Sequence, residues 1–566
     1  MKAIGASEGI AIGKVYLKAS RIKLERTMSE NIDAELEKFY SNIERSKQQL
    51  EEIKETTKCR IGADEAQIFE AQAMMLEDPD LLARVVAKIK NDGVSAAFAV
   101  KEAAEELSSL FRDIEDDYIK ERVLDLQDVS IRLIENIMGL KSFEYRDILE
   151  PVIIVAEELT PSDISKISTD KVLGIITEIG GVTSHTAIMS RVLGLPAIVG
   201  AVGALNATRN NDMLIMNGNT GEYYINPSST LLENFQMERS FQQEQQNALK
   251  SYIGVKTSTL DGFEISIGCN IGFPKDLDAV LKNDGEGIGL FRSEFLYMDR
   301  DSMPTEEEQF FAYKAAAEAM SGKPVIIRTL DIGGDKQVSY MNFPKEENPF
   351  LGYRAIRYCL EERELFRIQL RAMLRASAFG NIKIMLPMIS GVNEVREVRF
   401  ELQKSMKELD DRQLDYDKHI SLGIMIETPA AAIISDKLSE EVDFFSIGTN
   451  DLTQYTLAVD RMNSKISDLY TPYHPAVLRL INLAAYNAKK AGIWVGMCGE
   501  AAQDELLAPV FVGMGLNELS VSPTQVLKIR KLVNSLSKVE IEKHISNILD
   551  LPNPEAVMTY LKSINK

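Results

Sequence analysis

One of the four histidines in the chain stands where a helix is predicted to begin, in a setting that suits covalent chemistry. In the stretch 180-GGVTSHTAIMSR-191, two glycines and a small polar cluster precede His185, and Gly194 is the predicted end of the helix. The positive end of a helix stabilises an attached anion and favours the neutral, nucleophilic imidazole. His185 is therefore a candidate carrier of a phosphoryl group, and a histidine that makes one structural hydrogen bond fits the same pattern. The inner face of this helix is expected to carry Ala187, Ile188, Val192 and Leu193.

Other candidates for chemistry follow apolar runs in the C-terminal half of the chain. The runs and their polar neighbours are GIGLFR with Arg292, PVIIRTL with Arg328 and Asp331, LGIMIE with Glu427, FFSIGT with Asn450 and Asp451, and WVGMC with Cys498 and Glu500. Guanidinium groups bind phosphate and carboxylate in a fork geometry, and Arg354 and Lys336 add further cations. Two carboxylates with no His or Cys between them favour a hard cation such as Mg²⁺. This residue set suits a small phosphorylated carboxylate. The same residues are also explained by strand-end charges that face solvent and by a buried cysteine with a purely structural role.

Eight apolar runs predict the elements that position these side chains. From residue 261 onward, each run is separated from the next by a stretch long enough to form a helix. The runs are EISIGCN, GIGLFR, PVIIRTL, IKIMLPM, LGIMIE, FFSIGT, WVGMC and ELSVS. Eight such units over about 280 residues predict a (β/α)8 barrel, in which the strand ends meet at one rim. An open, doubly wound α/β sheet is the alternative.

The rest of the sequence predicts three further parts. An alternating strand at 9–17 pairs with the short strands after residue 151 in a compact α/β domain, and the mostly helical region between them is an insertion. Pro79 divides one of its helical runs. A polar, helix-prone segment connects this part to the barrel. The expected domains of this multidomain α/β chain are 1–21 with 144–226, 22–143, 227–260 and 261–566.

Composition excludes several classes of protein. The chain has 566 residues, with 64 Lys and Arg against 85 Asp and Glu, a formal net charge of −21. Such an acidic chain is a poor nonspecific binder of nucleic acid and suits a basic protein partner. Four cysteines without CxxC spacing predict a reduced, cytoplasmic chain without a zinc site. No signal peptide is expected from the first residues, and no apolar run reaches about 18 residues, so no membrane insertion is expected.

Two of these motifs resemble the signatures of a known family. The stretch GGVTSHTAIMSR resembles the phosphohistidine signature of phosphoenolpyruvate-utilising enzymes, and 443-DFFSIGTNDLTQYTLAVDR-461 resembles their second signature. The order of parts resembles the Enzyme I family of the bacterial sugar phosphotransferase system over essentially the whole chain. That resemblance implies a swivelling phosphohistidine α/β domain with an inserted helical domain, followed by a TIM barrel.

The resemblance also implies roles for particular residues. Phosphoenolpyruvate and Mg²⁺ bind at the barrel mouth, and the phosphoryl group passes to Nε2 of His185, then to a histidine of the carrier protein HPr on the helical insertion. Glu427 and Asp451 match the metal ligands, and Cys498 matches the acid that protonates the enolate to give pyruvate. The positions that match substrate contacts are Arg292, Arg328, Lys336, Arg354, Asn450, Asp451 and Arg461. A homodimer through the barrel is expected, as in relatives.

Three rival interpretations remain open on the sequence. A pyruvate phosphate dikinase or phosphoenolpyruvate synthase shares the signatures, but it needs an ATP-binding domain for which the chain has no Gly-rich nucleotide loop. A Mg²⁺-dependent lyase that stabilises a pyruvate enolate uses a similar barrel but leaves His185 without a role. A non-catalytic regulator would use the phosphohistidine only as a signal.

Overall fold

The structure of the chain is a computed structural model. It describes residues 1–18, 24–29, 31–60, 63–111, 117–140, 150–181, 184–298, 300, 302–334, 338, 340–341, 343–461, 463 and 465–564. Within these ranges the side chains of residues 58–60, 63–65, 67, 110–111, 117–122, 124, 165, 185, 192, 242 and 245–246 are not described. The chain divides into two compact units, Met1–Glu244 and Gln245–Lys566.

The first unit combines a mixed sheet with helices. Its strands are β1 Ile4–Ser7, β2 Ile10–Leu17, β3 Val152–Ala156, β4 Val172–Thr177, β5 Ala197–Val199, β6 Met213–Asn217 and β7 Glu222–Ile225. Its helices are α1 Ile32–Arg60, α2 Ala63–Met75, α3 Pro79–Ala87, α4 Ala96–Phe111, α5 Asp117–Met138, α6 Pro161–Ser165, α7 His185–Leu193, α8 Ala204–Ala207 and α9 Ser229–Lys250, which crosses the division into units.

The second unit alternates strands and helices. Its strands are β8 Ser266–Ile271, β9 Ile288–Arg292, β10 Val325–Arg328, β11 Ile382–Leu386, β12 Ser421–Ile426, β13 Phe444–Ile447, β14 Trp494–Met497 and β15 Glu518–Val521. Its helices are α10 Leu277–Lys282, α11 Glu306–Ala319, α12 Ile356–Glu361, α13 Arg363–Ser377, α14 Val392–Asp411, α15 Pro429–Ile433, α16 Ser435–Leu438, α17 Thr449–Leu457, α18 Pro475–Ala491, α19 Leu507–Met514, α20 Val526–Asn534, α21 Lys538–Asp550 and α22 Pro554–Ile564.

The N-terminal strands belong to the same sheet as the strands after residue 151. The sheet order is β1-β5-β4-β3-β2-β6-β7, and β2 pairs in parallel with β3 and antiparallel with β6. Parallel neighbours need a long crossover connection, and the helices α1–α5 lie within the connection from β2 to β3. Apolar side chains cover both faces of this sheet, with Ile154 and Ile175 on one face and Ile153 and Ile176 on the other.

The helical region α1–α5 has its own apolar core, which includes Phe39 and Phe69. The predicted break at Pro79 is confirmed, because α2 ends before it and Pro79 is the first residue of α3. The Asp78 carboxylate caps α3 by accepting hydrogen bonds from the N–H groups of Asp80 at 2.8 Å and Leu81 at 3.2 Å. Such a cap satisfies two donors that the first turn of a helix leaves free.

The eight strands of the second unit form a closed, all-parallel barrel in the order β10-β11-β12-β13-β14-β15-β8-β9. The predicted barrel is therefore confirmed, and the open doubly wound sheet is wrong. Most of the apolar core lies between the strands and the surrounding helices. A smaller cluster contains Leu290, Ile326, Met385, Met425, Phe444 and Cys498.

None of the helices that the structure describes is both long and apolar enough to cross a bilayer.

Candidate functional site

His185 is the first residue of α7, as its sequence setting predicts. Ser184 caps this helix by accepting a hydrogen bond from the N–H of Ala187 at 3.4 Å, and Gly194 ends it in the left-handed conformation with φ of 66°. The hydroxyl of Ser184 also donates to the carbonyl of Gly181 at 2.8 Å, which ties the glycine turn to the helix start. The backbone of His185 therefore lies at the positive end of a helix dipole. Its ring and Thr183 fall outside the described residues.

The inner face of α7 differs from the prediction at Ile188. Ala187 is buried, but Ile188 is 37% exposed, so its predicted inward position is wrong. Met189 and Ser190 are buried instead. In an α-helix, residues 186, 189, 190 and 193 fall on one face, which points Ile188 away from the sheet. The Val192 side chain lies outside the described part of the chain.

In the second unit, the predicted polar residues lie at the C-terminal ends of successive barrel strands. Arg292 and Arg328 end β9 and β10, Glu427 follows β12, and Cys498 follows β14. Asn450 and Asp451 lie in the first turn of α17, directly after β13. Closure of a parallel barrel brings these ends to one rim, so the structure groups residues that are up to about 200 positions apart in the sequence.

Arg328 is held between two buried carboxylates. Its Nη2 donates to Oε1 of Glu294 and lies 3.0 Å from Oδ2 of Asp331. Burial alone lowers the pKa of the Arg328 guanidinium, but the charges of Asp331 and Glu294 outweigh it and raise that pKa above its ordinary value. The charge of Arg328 is thus fixed and oriented before any substrate binds.

Arg354 continues this arrangement toward α17. Its Nη2 donates to Oδ1 of Asp331 at 2.8 Å and lies 3.8 Å from Oδ2 of Asp451. Arg461 Nη1 lies 3.3 Å from the other oxygen of Asp451. Burial lowers the pKa of Arg354, and Asp331 and Asp451 raise it above the usual value. Cations and carboxylates therefore alternate across the rim, in the sequence Glu294, Arg328, Asp331, Arg354, Asp451, Arg461.

Glu427 is buried and faces like charges. Its Oε1 accepts a hydrogen bond from the N–H of Met388 at 2.5 Å, and its exposed fraction is 1%. Burial raises the pKa of Glu427 well above its ordinary value, and the nearby charges of Asp451 and Asp331 raise it further, while Arg328 lowers it. A buried carboxylate beside another one is unfavourable unless a cation compensates the charge.

The two carboxylates Glu427 and Asp451 fit a hard divalent cation. Among the described residues, Oδ1 of Asp451 is buried and makes no hydrogen bond. No group of three or more His, Cys, Asp and Glu side chains in the described ranges has the geometry of a metal site. Mg²⁺ does not require one, because it commonly uses one or two carboxylates together with substrate oxygens and water. The donor set therefore suits Mg²⁺ rather than Zn²⁺.

Cys498 is a buried thiol rather than a thiolate. Its exposed fraction is 3%, and its Sγ lies 3.8 Å from the carbonyl oxygen of Ile447, to which it donates. Burial raises the pKa of Cys498 to about 11, with Ser446 and Arg328 lowering it and Glu427 raising it. Because the thiolate is the nucleophile, a protonated thiol at neutral pH suits a proton donor better than a covalent catalyst.

The remaining predicted residues lie at or near the same rim, with one exception. Asn450 donates from Nδ2 to Oε1 of Glu500 at 3.1 Å, and Glu500 N–H donates back to Asn450 Oδ1 at 3.2 Å. Arg292 is partly exposed at the end of its strand. Lys336 lies outside the described residues, two positions after Gly334.

Two residues of this site were not predicted. Glu294 contacts Arg328, and the hydroxyl of Tyr455 accepts a hydrogen bond from Arg354 Nη1 at 3.2 Å. A sequence signal for Glu294 exists in its position two residues after Arg292, at the end of a strand. Tyr455 stands four residues after Asp451, which places both on one face of α17.

Comparison with known proteins gives full-length matches. The chain matches the models of the phosphoenolpyruvate-utilising enzyme N-terminal domain at 2–122, mobile domain at 148–221 and phosphoenolpyruvate-binding domain at 246–538. It is 46% identical over 567 residues to the phosphoenolpyruvate-protein phosphotransferase of Bacillus subtilis (strain 168), covering 100% of both chains. It is 44% identical over 564 residues to the enzyme of the same name from Priestia megaterium, covering 100% of this chain and 98% of the relative. A solution structure described as Enzyme I (nEIt) is 36% identical, with a TM-score of 0.37, over 43% of this chain and 99% of that one.

Proposed function

The chain belongs to the phosphoenolpyruvate-protein phosphotransferase family of phosphoenolpyruvate-utilising enzymes, and from this membership we propose how its own residues carry out the reaction. It is an enzyme that moves the phosphoryl group of phosphoenolpyruvate to a protein acceptor, in the first step of sugar phosphotransfer. The observation that carries the proposal is the buried pair Arg328 and Arg354 beside the carboxylates Glu427 and Asp451.

The cations at the barrel mouth bind and orient phosphoenolpyruvate. Its phosphate and carboxylate both carry negative charge, and oriented guanidinium groups neutralise such charge without reorganising during the reaction. The carboxylates Glu294 and Asp331 hold Arg328 in place, so its fork is preorganised. The proposed substrate contacts are Arg292, Arg328, Lys336, Arg354, Asn450, Asp451 and Arg461.

Glu427 and Asp451 would hold Mg²⁺. When bound there, the ion supplies positive charge that neutralises the phosphate oxygens of the substrate. The carboxylates themselves set where that charge lies, because the Met388 N–H fixes one oxygen of Glu427 and the helix start fixes Asp451.

His185 is the proposed nucleophile. Its Nε2 attacks phosphorus, the bond from phosphorus to the enol oxygen breaks, and the electron pair of that bond stays on the oxygen of the pyruvate enolate. Phosphoryl transfer of this kind depends mainly on positioning and charge neutralisation. Cys498 then donates its thiol proton to carbon-3 of the enolate, which gives pyruvate, and the thiolate regains a proton from water. The proton that burial retains on Cys498 is the one this step consumes.

The acceptor is proposed to be a histidine of the carrier HPr. The phosphorus–nitrogen bond at His185 breaks as a new phosphorus–nitrogen bond forms on the histidine of HPr. His185 must therefore reach the substrate at the barrel in one step and the carrier protein in the next. This requires a mobile α/β domain, proposed as 1–21 with 144–226, and a linker at 227–260. We place HPr on the helical insertion 22–143, and we place the contact of a homodimer on the barrel, 261–566. The acidic chain attracts a basic carrier electrostatically.

The rival activities have less support. The relatives that match over the full chain bear the name of a phosphoenolpyruvate-protein phosphotransferase, not that of a dikinase or synthase. A lyase of the same barrel type would not use His185.

A labelling experiment tests the proposal. The full chain is incubated with Mg²⁺ and ³²P-phosphoenolpyruvate, with and without HPr, and the labelled residue is mapped by mass spectrometry. We expect an acid-labile label on His185 that moves to HPr, and no label on the His185→Ala variant. His419→Ala is the matched control, because His419 is an exposed histidine of the second unit. A label that persists in His185→Ala, or that maps to another residue, would refute the assignment.

A further inference from the structure

The segment between β10 and α12 carries a proposed substrate contact, Arg354. Its two ends lie close together, since the N–H of Ala355 donates to the carbonyl of Ile332 at 3.1 Å. Gly333 has φ of 114°, and a Cβ at this position would lie 2.5 Å from the Cβ of Arg354. The backbone at Gly333 therefore packs directly on Arg354.

One hydroxyl joins this segment to a different part of the rim. The Tyr455 hydroxyl donates to the carbonyl oxygen of Phe350 at 2.6 Å and accepts from Arg354 Nη1 at 3.2 Å. Tyr455 lies on α17, one helical turn after Asp451. The hydroxyl oxygen of Tyr455, which lies on the same helix as the proposed metal ligand Asp451, thus makes two contacts with the segment.

The next hydrogen bonds near Phe350 lie within the segment or join it to α12. Glu346 accepts from the N–H of Tyr353 at 3.0 Å and 3.1 Å, and Arg357 donates to the carbonyl of Leu351 at 2.8 Å. These contacts shape the segment but do not reach α17. Among the described residues, the two hydrogen bonds of the Tyr455 hydroxyl and the longer 3.8 Å approach of Arg354 to Asp451 are polar contacts that join the segment to α17.

We propose that Tyr455 is a positioning residue, whose hydroxyl holds Arg354 and the backbone at Phe350 at a fixed distance from Asn450 and Asp451. This inference rests on the proposed function, because Arg354, Asn450 and Asp451 are its substrate contacts. Phosphoenolpyruvate presents its phosphate and carboxylate at a fixed separation. A site built from two separate segments binds it tightly only if their spacing is also fixed.

The variant Tyr455→Phe removes the oxygen and keeps the ring. The Phe350 carbonyl and the Arg354 guanidinium each lose one partner, while Arg354 keeps its hydrogen bond to Asp331. Because the fixed spacing serves binding of the ground state and the transition state alike, its loss raises KM and leaves kcat nearly unchanged. Loss of one hydrogen bond to a charged group predicts a rise in the KM for phosphoenolpyruvate of about tenfold.

The experiment uses the full-length chain with Mg²⁺ and HPr. Initial rates of pyruvate release give KM and kcat for the parent and for Tyr455→Phe, and thermal unfolding gives their Tm. Binding of phosphoenolpyruvate to His185→Ala, with and without Tyr455→Phe, gives Kd in the absence of turnover. Tyr473→Phe is the matched control, since its hydroxyl donates to Asp504 at 2.6 Å.

We expect KM and Kd to rise about tenfold in Tyr455→Phe, with kcat within about twofold and Tm unchanged, and no change in Tyr473→Phe. An unchanged KM in Tyr455→Phe overturns the inference. A fall in kcat and Tm with constant KM also overturns it, because that result marks a purely structural role. A parent chain that releases no pyruvate would instead refute the proposed function, and this inference with it.

Discussion

Replacing Glu518 by glutamine should reduce the dependence of barrel stability on pH. Glu518 begins β15, and its side chain lies inside the barrel, where a Cβ on Gly289 would come within 2.2 Å of its Oε1. Among the described residues this Oε1 is buried without a hydrogen bond. Burial raises the pKa of Glu518 from 4.5 to about 7, and the positive charge of Lys383 lowers it only in part.

The sign of the effect follows from proton binding in the two states. Between pH 4.5 and about 7, folded Glu518 keeps a proton that the unfolded chain has already released. The free energy of unfolding therefore falls as pH rises through this window. Above about pH 7, Glu518 causes no further change in it. The difference between the two pKa values of Glu518, folded and unfolded, corresponds to a loss of about 3 kcal/mol in the free energy of unfolding across the window. Glutamine does not titrate, so it makes no such contribution.

Trp494 makes the measurement specific to the barrel. It is the single tryptophan of the chain, and its ring stacks on Phe444 with centroids 4.7 Å apart. Urea unfolding followed by tryptophan fluorescence at pH 5 and pH 8 gives the free energy of this unit even where the whole chain does not unfold in one step. Between these pH values the parent should lose about 2–3 kcal/mol more than Glu518→Gln.

The control for this measurement is Glu505→Gln, which removes an exposed carboxylate paired with Lys528. It should retain the pH dependence of the parent. If Glu518→Gln and the parent show the same pH dependence, then Glu518 is ionised throughout this range and the inference of a buried, protonated carboxyl is refuted.

Two further predictions concern the reaction. Cys498→Ser should slow pyruvate formation by about 10²–10⁴-fold, because a hydroxyl is a far weaker acid than a thiol, while the Kd for phosphoenolpyruvate stays near that of the parent. Equal rates of pyruvate release by the two proteins in stopped-flow assays would remove Cys498 from the mechanism. Deletion of 22–143 should abolish phosphorylation of HPr but spare labelling of His185. The α/β domain should still fold, since about a dozen residues remain to connect the parallel strands β2 and β3. Normal transfer to HPr, measured by ³²P labelling, would show that the carrier docks elsewhere.

Much of the architecture was predictable from local sequence. The eight apolar runs after residue 261 specify strands because each is short, apolar and followed by a helix-forming stretch, and the observed strands fall on them. The start of α7 at His185 follows from a serine cap and a glycine stop, both of which act within a few residues. Since a parallel barrel aligns its strand ends, the residues that follow those runs could be placed at one rim.

Other features depend on contacts that local patterns do not encode. Tyr455 meets the Phe350 carbonyl across 105 residues, and Arg328 meets Glu294 across 34, so both pairings exist only after the barrel closes. The outward turn of Ile188 depends on which face of α7 packs against the sheet. Residue types and their spacing along the chain thus determined the elements and the chemistry available at their ends. The tertiary structure decided which charges are buried, which carboxylate orients which arginine, and which hydroxyl ties two segments together, because burial and distance arise only when the strands close into a barrel.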